Sequence, residues 1–287
     1  CGDFLETVKR SQPLLGDRAA PGVLSPVSLL SLSRRSGDLD ADLAKLLPLY
    51  VELLQQLKAL SVTEVQLHDP ILVTSSASSL QSQVEKTYSA LAGVGVPIQL
   101  VTYFDDLGDT YGWVTRLPVA GISLDFTRGR NLELVKAHGF PADKTLGAGV
   151  VDGRNVWKIR PEAVQATLNE LKKIVPNLRV QPSASLQFVP HDAMLETQLP
   201  EALRNVLSFA EQKLEEVVFL ARTLNGEDTT AQQTRMTEQW QEFEQFNPPH
   251  PEVRQALKNL TVQDFERSLS YSWRIDQQVK LPPLPTT

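Results

Sequence analysis

Between residues 20 and 190, six short runs rich in Val, Ile and Leu recur, each separated from the next by a stretch long enough for a helix. The runs are Gly22–Leu24 with its extension to Ser28, Glu64–His68, Ile98–Tyr103, Gly121–Asp125, Leu146–Val151 and Arg179–Ser185. Near-continuous apolar runs suit parallel strands buried on both faces, and parallel neighbours must be joined by a crossover, usually helical. The alternation therefore restricts the chain to a parallel α/β architecture.

The intervening segments carry helix patterning. Leu39–Leu60 sets Leu43, Leu46, Leu47, Tyr50, Leu53, Leu54 and Leu57 at three- and four-residue spacing, with Asp40 and Asp42 where the helix dipole favours acids. Pro48 interrupts that pattern and is expected to kink it or mark a break. Pro161–Val175 opens on Pro and Glu and lines Leu168, Leu171 and Val175 along one face. After residue 190 the texture becomes helical throughout. One helix is expected over Glu201–Leu224, with a stripe of Leu203, Leu207, Ala210, Leu214, Val217, Ala221 and Leu224 ending at Asn225-Gly226. Others follow over Thr229–Phe246, Glu252–Asn259 and Val262–Val279, the last with Thr261 as its N-cap. The closing LPPLPTT, residues 281–287, reads as a Pro-rich linker.

Composition narrows the function classes. With 28 Lys+Arg against 34 Asp+Glu the net charge is −6, which gives no basic field for a phosphate backbone and predicts no nucleic-acid partner. No apolar run reaches the ~18–20 residues that span a bilayer, so no membrane partner and a cytoplasmic location are expected. The one Cys, Cys1, excludes an internal disulfide and a Cys-rich metal centre. Four His with scattered carboxylates form no recognisable zinc spacing, and Pro190-His191-Asp192 with Glu196 is no exception.

Two strand ends carry candidate chemistry. His68-Asp69-Pro70 and Asp152-Gly153-Arg154-Asn155 sit at the C-terminal ends of strands, where α/β folds place ligands. A His and a carboxylate can act as an acid–base pair. Adjacent residues on a strand point to opposite faces, however, so at most one of His68 and Asp69 faces the ligand side while the strand lasts. The alternative for both strand ends is structural: strand termination with bonds to loop backbone, and an Asp152–Arg154 pair. Gly147-Ala148-Gly149 lacks the third glycine and the following helix of a dinucleotide loop, so core packing explains it better. The Ser-rich Thr74–Ser82 lacks nucleophile-elbow spacing and reads as a loop.

Seven strings occur together in the order and spacing of one family: LSPVSLLSLSR from Leu24, LLPLYVELLQQL from Leu46, VQLHDPILV from Val65, TYFDDL from Thr102, LPVAGISLDF from Leu117, GVVDGRNVWK from Gly149 and LPPLPTT from Leu281. Across nearly its whole length the chain resembles the amino-terminal, folate-side barrel of the cobalamin-independent methionine synthases. The resemblance implies a (β/α)8 TIM-type barrel, incomplete here at about six strands. The first two βα units are expected to lie before Cys1, with strands three to eight within residues 1–200, helices packed on the same barrel over 201–280, and the linker over 281–287.

The implied function is transfer of a methyl group from methyltetrahydrofolate polyglutamate to homocysteine, with zinc activating the thiol. The resemblance places the zinc ligands in a second, catalytic barrel, so this chain is expected to hold no cofactor and no catalytic residue and to be inactive alone. It would support folate binding and the interface with that barrel, in cis or in trans. Where the family reads Asp-Glu-Pro after its fourth strand, this chain has His68-Asp69-Pro70. Where it reads Cys-Ser-Leu-Leu-His after its last, this chain has Ala184-Ser185-Leu186-Gln187-Phe188. Two other readings stand beside this one: a free-standing accessory barrel that binds a separate catalytic barrel, and an independent enzyme using His68, Asp69, Asp152 and Arg154 at the barrel mouth. An incomplete barrel also leaves two unpaired sheet edges, through which the chain is expected to self-associate unless they are covered.

Overall fold

The computed structural model describes residues 2–34, 37–248 and 250–282. Cys1 and most of the expected linker, residues 283–287, lie outside them. Elements follow in the order α1 (Gly2–Leu15), β1 (Gly22–Leu24), α2 (Pro26–Leu32), α3 (Leu39–Ala59), β2 (Val65–His68), α4 (Gln81–Ala92), β3 (Ile98–Val101), α5 (Tyr111–Val114), β4 (Gly121–Asp125), α6 (Asn131–His138), β5 (Thr145–Val151), α7 (Pro161–Ile174), β6 (Leu178–Pro182), α8 (Glu201–Arg204), α9 (Ala210–Leu224), α10 (Thr230–Phe246), α11 (Pro251–Lys258), α12 (Val262–Phe265) and α13 (Tyr271–Gln278). Two compact units result, one up to Trp240 and one from Gln241 onward. Among the described residues no helix is long and apolar enough to cross a membrane.

The six strands form one open, wholly parallel sheet in sequence order, as expected of an incomplete barrel. Leu67, Leu100, Ile122 and Leu146 stand in register across β2–β5 and are fully buried. They join one core with Leu54 and Leu57 of α3, Tyr88 and Leu91 of α4, and Leu168 and Leu171 of α7, so the helices cover this outer face. The sheet curls away from them. Arg179 of β6 donates two hydrogen bonds, of 2.6 and 2.9 Å, to the carboxylate of Glu64 at the foot of β2. Those strands are four apart in sheet order, about 19 Å in a flat sheet, which is beyond the combined reach of the two side chains.

The inner face is polar and rich in glycine. Gln99 of β3 donates to Ser123 of β4 at 2.9 Å, and Ser123 donates to Gln181 of β6 at 3.1 Å. This link passes over β5 because Gly147 has no side chain: a Cβ there would lie 2.3 Å from Ser123 Oγ and 2.4 Å from Gln181 Oε1. Gly149 is closed in by backbone, with Ser183 Cα 2.7 Å and the Leu124 carbonyl 2.8 Å from its Cβ position. Close packing is thus the role of Gly147-Ala148-Gly149.

Several expected elements differ. The first strand stops at Leu24 rather than Ser28, because Ser25 Oγ accepts the Ser28 N–H at 3.0 Å and Pro26 opens α2. No break falls at Pro48; α3 runs through it, and burial of Leu43, Leu54 and Leu57 offsets the lost bond. The single helix over Glu201–Leu224 is two. Val206 and Ser208 leave the helix to pair with the Val156–Lys158 segment, through bonds of 2.8 Å from Lys158 N to the Val206 carbonyl and from Ser208 N to the Val156 carbonyl. The helix over Val262–Val279 is also two, α12 with Thr261 bonded to the Asp264 carboxylate and α13 capped by Ser270.

Candidate functional site

The C-terminal ends of β2–β5 form the mouth of the partial barrel, and the strand alternation decides what each residue there does. His68 and Asp69 separate as their adjacency requires. His68 is half-buried on the inner side, where its Nε2 lies 3.0 Å from the Cβ position of Gly22 and its ring meets Tyr103 edge-on at 5.7 Å. Burial lowers the His68 pKa, because a half-buried ring disfavours the charged form. Asp69 points the other way and is fully buried. Its Oδ1 accepts from Ser25 Oγ at 2.6 Å and from Ser28 Oγ, and its Oδ2 from Tyr88 OH at 3.0 Å. Burial raises the Asp69 pKa, and the three hydroxyls oppose that rise. The carboxylate therefore ties the start of α2 and the middle of α4 to the end of β2.

Asp152 and Arg154 do not pair with each other's side chains. Asp152 Oδ1 accepts the Arg154 and Asn155 backbone N–H groups at 2.8 and 3.3 Å, and Oδ2 accepts from Asn155 Nδ2 at 2.9 Å and lies 3.5 Å from Arg128. The tight turn through Gly153 aims Arg154 elsewhere, and its guanidinium sits 4.4 Å over the Phe104 ring. Phe104 in turn contacts Tyr103 at 4.6 Å and Phe188 at 5.5 Å. A continuous aromatic shelf thus joins His68 to Phe188, with Arg154 at its edge.

That shelf rests on residues that strand-end reasoning missed. Phe104 has φ of +84°, a left-handed conformation costly for a bulky side chain. It is held there by its own N–H, which donates to Asp125 Oδ2 at 3.1 Å. Asp125 ends β4 and is buried. Its Oδ1 accepts from Thr127 N and Oγ1 at 2.8 and 2.6 Å, while burial raises its pKa. An acid at the end of a strand was the available signal, the same one that singled out Asp69 and Asp152.

A second charged cluster lies beneath the loop after β5. Lys213 and Glu216 of α9 are both buried, whereas Leu214 and Val218 are 54% and 56% exposed, the reverse of an apolar stripe. Lys213 Nζ donates to the Trp157 carbonyl at 3.2 Å and Asn155 Oδ1 at 3.4 Å, and Glu216 Oε1 accepts the Ile159 N–H at 3.1 Å. Lys158 reaches the Asn205 carbonyl at 2.6 Å and Gln239 at 2.8 Å. Burial lowers the pKa of both lysines and raises that of Glu216, and the opposite charges moderate each shift. These groups fix the loop that carries Asp152 and Arg154.

His191 pairs with Glu211 at 3.5 Å, Asp192 accepts from Met194 N and Gln212, and His138 packs against Tyr111. Among the described residues no three of His, Cys, Asp and Glu come together to hold a metal ion. The described residues therefore bring together no donor set that fits zinc.

The model of the cobalamin-independent synthase N-terminal domain matches residues 2–176. The 5-methyltetrahydropteroyltriglutamate–homocysteine methyltransferase of Synechococcus sp. (strain JA-2-3B'a(2-13)) is 69% identical over 286 residues, covering 100% of this chain and 38% of that protein. The protein of the same name from Trichodesmium erythraeum is 56% identical, covering 99% of this chain and 38% of its own length. The chain thus spans somewhat over a third of these curated relatives. Among solved structures, a B12-independent methionine synthase from Shewanella sp. W3-18-1 superposes with a TM-score of 0.51 at 15% identity, covering 62% of this chain and 58% of that one. A Listeria monocytogenes structure superposes with a TM-score of 0.58 at 16% identity, covering 78% and 69%. Both are likenesses of fold.

Proposed function

The chain belongs to the cobalamin-independent synthase family, in the part described as its N-terminal domain, and from that membership we propose that it is the amino-terminal barrel of a 5-methyltetrahydropteroyltriglutamate–homocysteine methyltransferase. The observation that carries this reading is identity of 69% along the whole chain with a protein of that name, of which the chain spans 38%. In this reading the chain contributes to folate binding and to the interface with a catalytic barrel, and makes no methionine alone. The zinc of the family would be held in that other barrel, where it would lower the pKa of the homocysteine thiol, and no residue of this chain is assigned to hold it. A cytoplasmic location goes with a biosynthetic role.

The mouth residues divide the work accordingly. His68 and Arg154 face the aromatic shelf and are the two assigned here to ligand contact. Asp69 and Asp152 are assigned to holding the strand ends that present them. The test is methionine formation from homocysteine and 5-methyltetrahydropteroyltriglutamate with zinc. The chain alone should show no turnover, and a hybrid with this chain in place of the matching 38% of the Synechococcus protein should be active. Turnover by the chain alone, or an inactive hybrid that is fully folded, overturns the reading.

A further inference from the structure

A cavity of about 340 Å3 lies among α8, α9, α10 and the Ala193–Leu195 turn, and every residue lining it belongs to the unit that ends at Trp240. Its size falls in the range of small-molecule sites. Two lining side chains carry buried polar atoms with no hydrogen-bond partner among the described residues, Nε of Arg204 and Oε2 of Glu216. Glu216 is only 3% exposed, and its Oε1 is taken by the Ile159 N–H. The neighbouring lysines do not fill the gap. Lys213 Nζ donates to the Trp157 carbonyl and Asn155, and Lys158 Nζ to the Asn205 carbonyl and Gln239. A buried charged group with an unpaired atom is costly, so a cavity that presents one of each sign suits a ligand that brings both charges.

We propose that this cavity binds a zwitterionic α-amino acid with an apolar side chain, its carboxylate accepting from Arg204 and its ammonium donating to Glu216. An anion alone would satisfy Arg204 while adding a like charge beside Glu216, and a cation alone would do the reverse. Arg235 and Glu215 also line the cavity and are both exposed, so solvent-side charge selects neither sign. The remaining wall suits the side chain. Leu207 and Met236 are buried there and Met194 is exposed, and thioethers adapt to a flexible apolar chain. An ω-amino acid keeps its methylenes between its two charges and would leave that wall uncovered. The inference goes beyond the methyltransferase reading and does not draw on it.

Calorimetric titration of the 287-residue chain tests the proposal, with L-methionine and L-norleucine as probes. Both should bind. N-acetyl-L-methionine, which lacks the ammonium, L-methioninol, which lacks the carboxylate, and 5-aminopentanoate should each bind about tenfold or more weakly, the loss expected when a buried charge goes unanswered. Glu216→Gln and Arg204→Gln should weaken L-methionine by about the same factor, with near-ultraviolet circular dichroism reporting that the fold is kept. No binding of either probe at about 10 mM, a level above even weak specific binding, overturns the proposal and leaves a cavity filled by water. Equal binding of the blocked analogues overturns it too, as does preference for 5-aminopentanoate or binding that survives both substitutions in folded protein. Where a substitution unfolds the chain, the analogue series on the unsubstituted chain still decides.

Discussion

The central strands β3 and β4 are buried at every residue, whereas β1 and β6, at the two edges, are partly or fully exposed throughout. All six share one sheet and one direction, so backbone preference does not separate them. Parallel strands reach full burial only when both faces and both edges are occupied, and β1 and β6 each lack a neighbour among the described residues. The difference locates what the fold is short of. It is not a core, since the outer face is filled from α3 to α7, but the lateral pairing that would close the curl begun by the Arg179–Glu64 contact. Edges of this kind template pairing with another chain.

The sharpest probe of the contrast is a pair of truncations. Leu100→Ala removes a fully buried side chain at the centre of β3 and should cost about 2–5 kcal/mol in urea unfolding. Val180→Ala on β6 removes a partly buried one that packs against the same core, for which about 1 kcal/mol is expected. Near-equal losses would break the comparison, because they would mean that β6 is covered in solution by something the isolated chain recruits. A concentration-dependent loss for Val180→Ala would identify that cover as a second copy.

What the residues disclose before folding follows the same division. The central strands were legible because each sets Val, Ile or Leu on the buried outer face within a short run bounded by helical stretches, and each observed strand lies within or beside one of those runs. The first strand was read too long because Ser25-Pro26, a helix-opening pair, follows it directly and its apolar successors belong to α2. The strand-end alternation separated His68 from Asp69 correctly, but the partners of Asp69 were invisible: Ser25 and Ser28 lie 44 and 41 residues away and Tyr88 lies 19 away. The Lys213–Glu216 face of α9 was misassigned for a related reason. Apolar spacing assumes that charge faces water, and these charges are buried because the loop after β5 offers carbonyl and N–H groups that only the fold brings there.

The weakest effect expected belongs to the contact that spans the curl. Arg179→Ala removes a bidentate pair whose partners keep 45% and 19% of their side-chain surface in water, so solvent screens it and the expected cost is about 0.2–1 kcal/mol. The pair also raises the Arg179 pKa, chiefly through its hydrogen bonds to Glu64, and no titration of the arginine enters the accessible range. The informative reading is therefore salt dependence: if the contact only decorates a curl set by the inner glycines and the Gln99–Ser123–Gln181 link, the small loss should fade as ionic strength rises. A loss that approaches that of Leu100→Ala, and persists in high salt, would instead mean that this contact sets the curvature itself and that the exposed edges depend on it.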